Sequence, residues 1–405
     1  MHIAMVNSLY FPDQFGGAER SVQALAESLV DRGHIVDVHS LSEHDADTTI
    51  HNGVTVHRHR LDNFFWSFDK SRERSRLANL AWHLRDAHNA RFGRTVAELL
   101  IASQPDLIHT HNLAGFSIAL LHHLRLSTIP IVHTARDYYA ICLHTNLYAG
   151  SICQTACMKC RLNRQHKSLS KTRIDSFVAI SRCVLKRHLD AGAVPPAAET
   201  RCIYNGVDPP AEKTRSAGSH RPVRSTPVVG YLGTIAPVKG VEDLLRAHRD
   251  DGRTYRLRIA GTGNPSLVDY LKSTYHDPTV EFVGRVDSAT FFRSIDLLVV
   301  PSKWDEPFGR VVIEAYGHGV PVVAYPNGAL TEIVEHGRSG WLTSSTNPAA
   351  LTRTIRQAID PVDRLMTTGK YAKQKSMAFT TDVMVNRYED LFRQTIRRVA
   401  ERQIV

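Results

Sequence analysis

Two glutamates in one short segment have the type and spacing best suited to holding a polar ligand. Glu306 lies in PSKWDEPFGRVVIEA (residues 301–315), directly after an apolar run, and Glu314 follows eight residues later. The pattern predicts a strand that ends at Val300 and a helix that begins near Gly309, with Glu314 among apolar helix positions. A carboxylate in such surroundings is costly without a partner. A pair of sugar hydroxyls would be one such partner, and a structural salt bridge would be another.

A lysine in a glycine-containing loop offers positive charge next to a predicted helix. Lys239 lies in GTIAPVKG (residues 233–240), between an apolar run and a helix expected from Val241 to Arg249. Such a lysine can anchor a diphosphate together with the helix N-terminus, and a surface lysine at a helix start fits equally well. The loop lacks the G-x-x-x-x-G-K-[ST] pattern, so it is not a P-loop.

Glycines follow two further apolar runs. Gly16 and Gly17 come after Ile3 to Val6 and lead straight into a helix, which suits either the approach of a phosphate or sugar or an ordinary turn. Gly261 begins GTGNP, which lacks the third glycine of a dinucleotide fingerprint. Binding of NAD is therefore not favoured.

These residues need a scaffold, and the apolar pattern predicts two α/β domains. Short apolar runs alternate with helical segments in both halves of the chain, which is typical of parallel sheets covered on both faces. We expect doubly wound, Rossmann-like domains over residues 1–208 and 228–380, joined by a proline- and serine-rich linker over residues 209–227. A basic amphipathic helix over residues 381–405 is expected to pack back toward the N-terminal domain.

Two local patterns of the first half give further predictions. A long helical region is expected from about Ser71 to Ala102, and a shorter helix from about Ala114 to Leu124. His109 and His111 lie near the end of a predicted strand, and we expect their side chains on opposite faces of the sheet. One of them would line the ligand-binding edge, or both are core histidines.

Composition limits the class of protein. The 405 residues are 42% hydrophobic and 22% charged, enough apolar content to fill two cores and to exclude wholesale disorder. No stretch approaches the ~18 apolar residues of a spanning helix, and MHIAMVNSLYFPDQ does not resemble a secretion signal. We therefore expect a cytoplasmic protein. Its net charge of +10 favours nucleic acid, an anionic membrane or phosphorylated small molecules as partners.

Four cysteines fall within nineteen residues, at Cys142, Cys153, Cys157 and Cys160. Thiols so close in sequence could hold a structural zinc ion or an iron–sulfur cluster. The spacing lacks a paired CxxC…CxxC arrangement, so free or partly buried cysteines remain the alternative.

A basic segment with aromatic residues runs from Arg58 to Arg94. It contains nine lysines or arginines against four acidic residues, and Phe64, Phe65 and Trp66 lie within it. The combination suits the inner, anionic face of a membrane or single-stranded nucleic acid, and a solvated helix beside a packed aromatic cluster is the third interpretation.

Taken together, these motifs resemble family 4 of the retaining glycosyltransferases. The most specific piece is the Glu-x7-Glu motif from Glu306 to Glu314, supported by FGGAER, DLIHTHN, NGVD, GTIAPVKG, IAGTG and EFVGRV, which cover nearly the whole chain in the family's order. The resemblance implies the GT-B fold, in which two Rossmann-like domains face a central cleft. The N-terminal domain would bind the acceptor and the C-terminal domain the nucleotide-sugar.

Three residues match catalytic positions of that family. Glu306, with the backbone amides of Phe308 and Gly309, corresponds to the group that holds the hydroxyls of the transferred sugar. Lys239 corresponds to the lysine that neutralises the donor diphosphate. His133 falls where a family histidine lies near the transferred sugar.

The resemblance also implies a donor-binding set, in which Glu314 holds the ribose hydroxyls and the segment around Val283 frames the base. Many members have an arginine where this chain has Thr234, so a replacement such as Arg310 would contact the diphosphate. The whole set is Gly16, Gly17, Thr234, Gly261, Val283, Phe308, Gly309, Arg310 and Glu314.

The expected activity is hexosyl transfer with retention of configuration and without a catalytic metal or other cofactor. The acceptor would be a saccharide or a lipid-linked saccharide in cell-surface polysaccharide or glycolipid assembly. The alternatives are a GT-B-type sugar-nucleotide epimerase or phosphorylase, and a non-catalytic protein that binds anions or nucleic acid. Nucleic acid is the least favoured partner, because no nucleic-acid-binding motif accompanies the basic charge.

Overall fold

Residues 1–13, 16–68, 74–210, 224, 226–361 and 363–404 are described by a computed structural model of the chain. The chain divides into two units. Unit 1 comprises Met1–Leu147, Cys153–Gly206 and Thr381–Val405, and unit 2 comprises Tyr148–Ile152 and Val207–Thr380. Most of the predicted linker (211–223 and 225), Phe15 of the FGGAER motif and residues 69–73 of the basic segment lie outside the described residues.

Unit 1 is built on an eight-stranded sheet in the order β3-β4-β2-β1-β5-β6-β7-β8. Its strands are parallel except for β3, which pairs with β4 in antiparallel register. The central strands are buried because helices cover both faces of a parallel sheet. The strands are β1 (His2–Val6), β2 (Ile35–Ser42), β3 (Asp47–His51), β4 (Val54–Arg60), β5 (Leu107–Thr110), β6 (Ile131–Ala135), β7 (Ser176–Ala179) and β8 (Glu199–Cys202).

The helices of unit 1 are α1 (Gly17–Asp31), α2 (Arg76–Ala87), α3 (Ala90–Ala102), α4 (Ala119–Leu124), α5 (Met158–His166), α6 (Arg182–Asp190) and α14 (Thr381–Ile404). The C-terminal helix α14 packs within this unit, where the Tyr388 hydroxyl lies 3.1 Å from the hydroxyl of Thr134 on β6. Arg32, just after α1, donates to Glu389 of α14 at 2.6 Å.

Two predictions for unit 1 are wrong in detail. The long helical region is two helices, because Asn89 leaves helical geometry and its side chain accepts from the amide of Phe92 to cap α3. The short helix predicted from Ala114 begins only at residue 119.

Unit 2 is built on a six-stranded, wholly parallel sheet in the order β11-β10-β9-β12-β13-β14. Its core joins strand residues such as Leu257, Ile259 and Val299 to apolar positions of the covering helices. The strands are β9 (Val228–Leu232), β10 (Arg256–Ala260), β11 (Val280–Gly284), β12 (Leu297–Val300), β13 (Val322–Ala324) and β14 (Gly340–Leu342).

The helices of unit 2 are α7 (Val241–Asp250), α8 (Pro265–Thr274), α9 (Ser288–Ser294), α10 (Arg310–Gly317), α11 (Leu330–Ile333), α12 (Pro348–Ile359) and α13 (Asp363–Ser376). The mixed sheet of unit 1 and the parallel sheet of unit 2, each with helices alternating with its strands, confirm the predicted α/β fold class. Among the described residues, no helix combines the length and the apolar content that a membrane crossing requires.

Candidate functional site

The order of strands in unit 2 reverses between β9 and β12, and ligands of open parallel sheets bind at such a point, beyond the carboxyl ends of the strands. The loop after β9 carries Lys239, and the loop after β12 carries Glu306. Two residues that lie 67 positions apart in sequence are thereby brought to the same edge of one sheet.

Glu306 is the centre of this arrangement. Its Oε2 atom accepts from Lys239 Nζ at 2.8 Å, from Trp304 Nε1 at 2.9 Å and from Ser302 Oγ at 3.0 Å. The Lys239 ammonium also lies 4.7 Å from the centre of the Trp304 ring. All three donors converge on one carboxylate oxygen, which fixes the side chain while the group stays partly exposed.

The two loops are held together by backbone contacts that only glycine permits. Gly240 caps α7 with φ +71°, and a Cβ atom there would lie 2.0 Å from the carbonyl oxygen of Pro301. The amide of Lys303 donates to the carbonyl of Val238 at 2.8 Å. The position of Lys239 relative to Glu306 therefore depends on close packing of the two loops.

A second ion pair supports the same loops. Lys303 Nζ donates to Asp243 of α7 at 2.7 Å, and the Tyr325 hydroxyl donates to the other oxygen of Asp243 at 3.0 Å. This lysine resembles Lys239 in exposure and in having a carboxylate partner. Lys303 therefore serves as a comparison for Lys239 in mutational tests, because its partner Asp243 lies on helix α7 and is not a candidate ligand-binding residue.

Glu314 lies on α10, which begins after Gly309 in left-handed geometry, with Phe308 buried just before it. Its Oε1 atom accepts from Arg310 Nε at 2.9 Å, one helical turn earlier. The predicted salt-bridge partner thus exists, but it uses one oxygen of a partly exposed carboxylate. A carboxylate can accept about four hydrogen bonds, so capacity for a pair of hydroxyls remains.

The other predicted donor residues of unit 2 lie in neighbouring loops at the carboxyl ends of β9, β10 and β11. Thr234 is exposed, and its carbonyl accepts from the Tyr231 hydroxyl at 2.7 Å. A Cβ atom on Gly261 would lie 1.8 Å from the carbonyl oxygen of Gly233, so these two loops also touch through glycines. Val283 is partly exposed near the end of β11.

Unit 1 holds the three remaining predicted residues. His133 is buried within β6, where its Nδ1 atom lies 2.9 Å from the Thr110 hydroxyl. Burial lowers the pKa of His133 to about 3, so the ring is neutral at neutral pH. Gly16 and Gly17 begin α1 as predicted, but the Glu19 carboxylate lies over Gly16, and a Cβ atom there would be 3.1 Å from Glu19 Oε2. A second anion at this helix start would meet that charge.

The carboxyl end of β6 carries residues that the sequence did not single out. Arg136 donates to His111 Nδ1 at 3.2 Å and to Asn205 Oδ1 at 2.7 Å. The next residue is Asp137, a partly exposed residue whose pKa is raised to about 6 because its carboxylate loses solvation. One small cavity is lined by His111, Arg136 and Asp137 together with His133. The signal that could have found them is their position directly after a buried strand.

The prediction that His109 and His111 point to opposite faces is wrong. The ring centres lie 3.9 Å apart. Side chains two positions apart along an extended strand lie on the same face of the sheet. The amide of His111 continues the pairing with β1 by donating to the carbonyl of Val6 at 2.9 Å, so the two rings lie side by side. Both rings are buried, and burial lowers the pKa of each well below its usual range.

The four clustered cysteines lie around the start of α5. Cys142 and Cys160 are buried with their Sγ atoms 4.0 Å apart, whereas Cys157 is exposed at the N-cap. Within the part of the chain that is described, no three His, Cys, Asp or Glu side chains are placed so as to hold a metal ion. The zinc or iron–sulfur site at these thiols stays a prediction, which measurement of the metal content of the purified protein would test.

Unit 2 brings together Lys239, Glu306, Gly309, Arg310 and Glu314 in the loops and helix starts that surround the switch point, whereas His133, Gly16 and Gly17 belong to unit 1. Ser302 and Trp304, which hold Glu306, were missed. Their position in the loop directly after a buried strand was the available signal.

Comparisons with known proteins match both halves of the chain to glycosyltransferase families. Residues 15–210 match the family described as Glycosyltransferase Family 4, and residues 226–360 match the one described as Glycosyl transferases group 1. The chain is 32% identical over 335 residues to an "uncharacterized 42.6 kDa protein in cps region" of Klebsiella pneumoniae, which covers 82% of this chain and 87% of that protein.

Solved structures agree with this match in fold. A sucrose-phosphate synthase from Thermosynechococcus elongatus superimposes with a TM-score of 0.75 at 22% identity, covering 97% of this chain and 98% of that one. Anabaena HepE in complex with UDP-glucose superimposes with a TM-score of 0.69 at 21% identity, covering 97% and 100%.

Proposed function

Since this chain belongs to glycosyltransferase family 4 and is a glycosyltransferase of the GT-B type, we propose that it transfers a hexosyl group from a nucleotide-sugar to a saccharide or lipid-linked acceptor with retention of configuration. The observation that carries the proposal is the pairing of Lys239 with Glu306 at the switch point of unit 2, with Glu314 on the helix that follows.

Each group has a role that its contacts support. Glu306 is held by three donors through Oε2, so its other oxygen would accept from a sugar hydroxyl without further cost of ordering the side chain. Lys239 brings a cation beside the amides at the start of α7. A diphosphate is favoured there because the first-turn carboxylates, Glu242 and Asp243, are already paired with Arg246 and Lys303. Glu314 offers the free oxygen of its carboxylate to the ribose hydroxyls.

The proposed chemical step uses these roles. The acceptor oxygen forms a bond to the anomeric carbon as the bond from that carbon to the diphosphate oxygen breaks. The acceptor proton passes to the departing phosphate oxygen, on the same face of the sugar. Lys239 and the helix amides stabilise the negative charge that develops on the diphosphate, and the proposal requires no divalent cation for that purpose.

The donor and the pathway are supported by relatives. HepE binds UDP-glucose, which favours a uridine donor. The Klebsiella protein lies in a cps region, which favours the assembly of a surface polysaccharide. We place the reaction in the cytoplasm, where nucleotide-sugars are available, and at the inner face of the membrane if the acceptor is lipid-linked.

The experiment measures nucleotide release by the full chain from UDP-, GDP- and ADP-sugars, with bacterial lipid and oligosaccharide fractions as acceptors, in parallel with magnesium and with EDTA. We expect one donor to be turned over and the product to keep the anomeric configuration of the donor. Glu306→Gln should lower the rate by roughly 10²–10³, since it removes a charge that acts on the transition state.

The matched control is Glu335→Gln. Glu335 also accepts from a lysine and from a tyrosine hydroxyl in unit 2, but it does not belong to the candidate site. This variant should retain near-normal turnover. Equal rates for wild type and Glu306→Gln would overturn the role of Glu306, and an inverted product or complete loss of activity in EDTA would overturn the proposed mechanism.

A further inference from the structure

Helix α2 exposes the residues that an amphipathic helix normally buries. Leu77, Leu80 and Leu84 are 79%, 50% and 62% exposed, and their spacing places them along one side of the helix. We call these three residues the leucine face. Phe64, in the segment that precedes α2, is 65% exposed as well.

The helix is oriented this way because its acidic residue is anchored inside unit 1. Asp86 is buried, and its Oδ2 atom accepts from Lys167 Nζ at 2.5 Å and from the Tyr139 hydroxyl at 2.8 Å. Its Oδ1 atom accepts from the amide of Gly115 at 2.6 Å. Breaking such a buried pair is strongly unfavourable, so the leucine face is fixed toward solvent.

The surroundings of the leucine face are cationic. The sequence of α2, RLANLAWHLRDA, contains two arginines, and Asp86 is its only acidic residue. The exposed Arg74 precedes the helix, and Arg85 lies 5.6 Å from the centre of the Phe64 ring while it is paired with Asp62 at 2.6 Å. Burial of Asp86 leaves α2 with no negative charge to present to solvent.

We propose that the leucine face, with Phe64 and the flanking arginines, docks unit 1 onto an anionic lipid bilayer. A short helix with leucines on its outer side and arginines beside them lies in the interface of such a membrane, where the leucines enter the acyl boundary and the cations meet the headgroups. The proposal rests on the proposed function only in that a lipid-linked acceptor would require the enzyme to work at a membrane.

Two other occupants fit less well. A second copy of the chain would bring the same arginines together across a two-fold axis, and a twelve-residue helix offers far less than the ~800 Å² that a stable partner buries. Single-stranded nucleic acid binds by stacking successive bases on several aromatic rings, whereas the proposed surface offers three leucines beside the ring of Phe64.

The experiment is sedimentation of the full chain with vesicles of equal parts phosphatidylglycerol and phosphatidylcholine, compared with pure phosphatidylcholine. We expect binding to the anionic vesicles that weakens with salt. The triple variant L77S/L80S/L84S should bind at least about tenfold more weakly, because serine cannot replace the apolar area that enters the membrane.

The matched control is L126S/L162S/L189S, which removes three exposed leucines from elsewhere in unit 1 and should bind as wild type does. Equal vesicle binding by L77S/L80S/L84S and wild type would overturn the proposal, as would absence of binding by wild type or a leucine-dependent dimer in solution. Thermal stabilisation by nucleotide-sugars, measured without vesicles, should be the same in both triple variants, so a failure of donor binding is separately visible.

Discussion

Replacing Lys239 with alanine should weaken the binding of a nucleoside diphosphate far more than it weakens the fold. Lys239 donates to Glu306 at 2.8 Å and lies over the Trp304 ring. Its removal takes away a cation and also leaves the Glu306 carboxylate without its counter-charge. A diphosphate that enters the site would then meet a carboxylate where the wild-type protein presents an ion pair.

The magnitude follows from the kind of contact. A hydrogen bond between charged groups contributes about 1.5–3 kcal/mol, which corresponds to roughly 10- to 150-fold in affinity. Loss of stability should be smaller, about 1 kcal/mol or less, because the Lys239–Glu306 pair is partly exposed and screened by solvent. Binding of the mononucleotide should change little, since it lacks the second phosphate.

Isothermal titration with UDP and UMP measures both effects, and Lys303→Ala is the control. Lys303 is similarly exposed and is paired with Asp243 at 2.7 Å, so its loss removes an equivalent ion pair from the same loops. UDP should bind to Lys303→Ala within a few-fold of wild type. If both variants lose UDP affinity equally, or if UMP and UDP weaken together in Lys239→Ala, the assignment of Lys239 to the diphosphate is refuted.

Two further predictions concern the backbone of the site and the stability of unit 1. Gly240→Ala should lower the thermal midpoint more than Gly337→Ala does, and it should reduce nucleotide binding. Both glycines have positive φ, but only a Cβ atom at position 240 collides with a carbonyl oxygen, at 2.0 Å. Equal shifts of the two variants in a melting experiment would contradict this prediction. Burial lowers the pKa of His39 and His133 to about 3 and that of His188 to about 4. Below pH 6.5 the unfolded chain therefore binds more protons than the folded chain does. As the pH falls from 6.5 toward 4, each ring should lower the free energy of unfolding by up to ~1.4 kcal/mol per pH unit. Urea unfolding at pH 7.5 and pH 5 measures the loss, and a pH-independent free energy would show that these rings are not held neutral.

The sequence predicts the site better where the signals are local. The spacing of Glu306 and Glu314, and the glycines near Lys239, identify the loop and helix starts of unit 2, because turns and caps depend on a few neighbouring residues. The pairing of Lys239 with Glu306 could not be derived in that way. It requires β9 and β12 to be neighbours in the sheet, which is a property of the topology.

Long-range contacts also explain what was missed in unit 1. Helical periodicity alone would turn the leucines of α2 inward. The outcome is decided by Asp86 and Lys167, which lie 81 residues apart and form a buried pair. The break between α2 and α3 similarly depends on Asn89, whose side chain caps α3 and also donates to the carbonyl of Asp62 at 2.8 Å.

The central claim is that the Glu306 to Glu314 segment binds a nucleotide-sugar, and thermal stability tests it most directly. Wild type and Glu314→Ala are melted with a panel of UDP-, GDP- and ADP-sugars. A donor at 100 times its dissociation constant should stabilise wild type by about 2.7 kcal/mol, and the variant should lose most of that shift because the ribose hydroxyls lose their acceptor. An undiminished shift in Glu314→Ala, or no shift of wild type with any donor, would contradict the account.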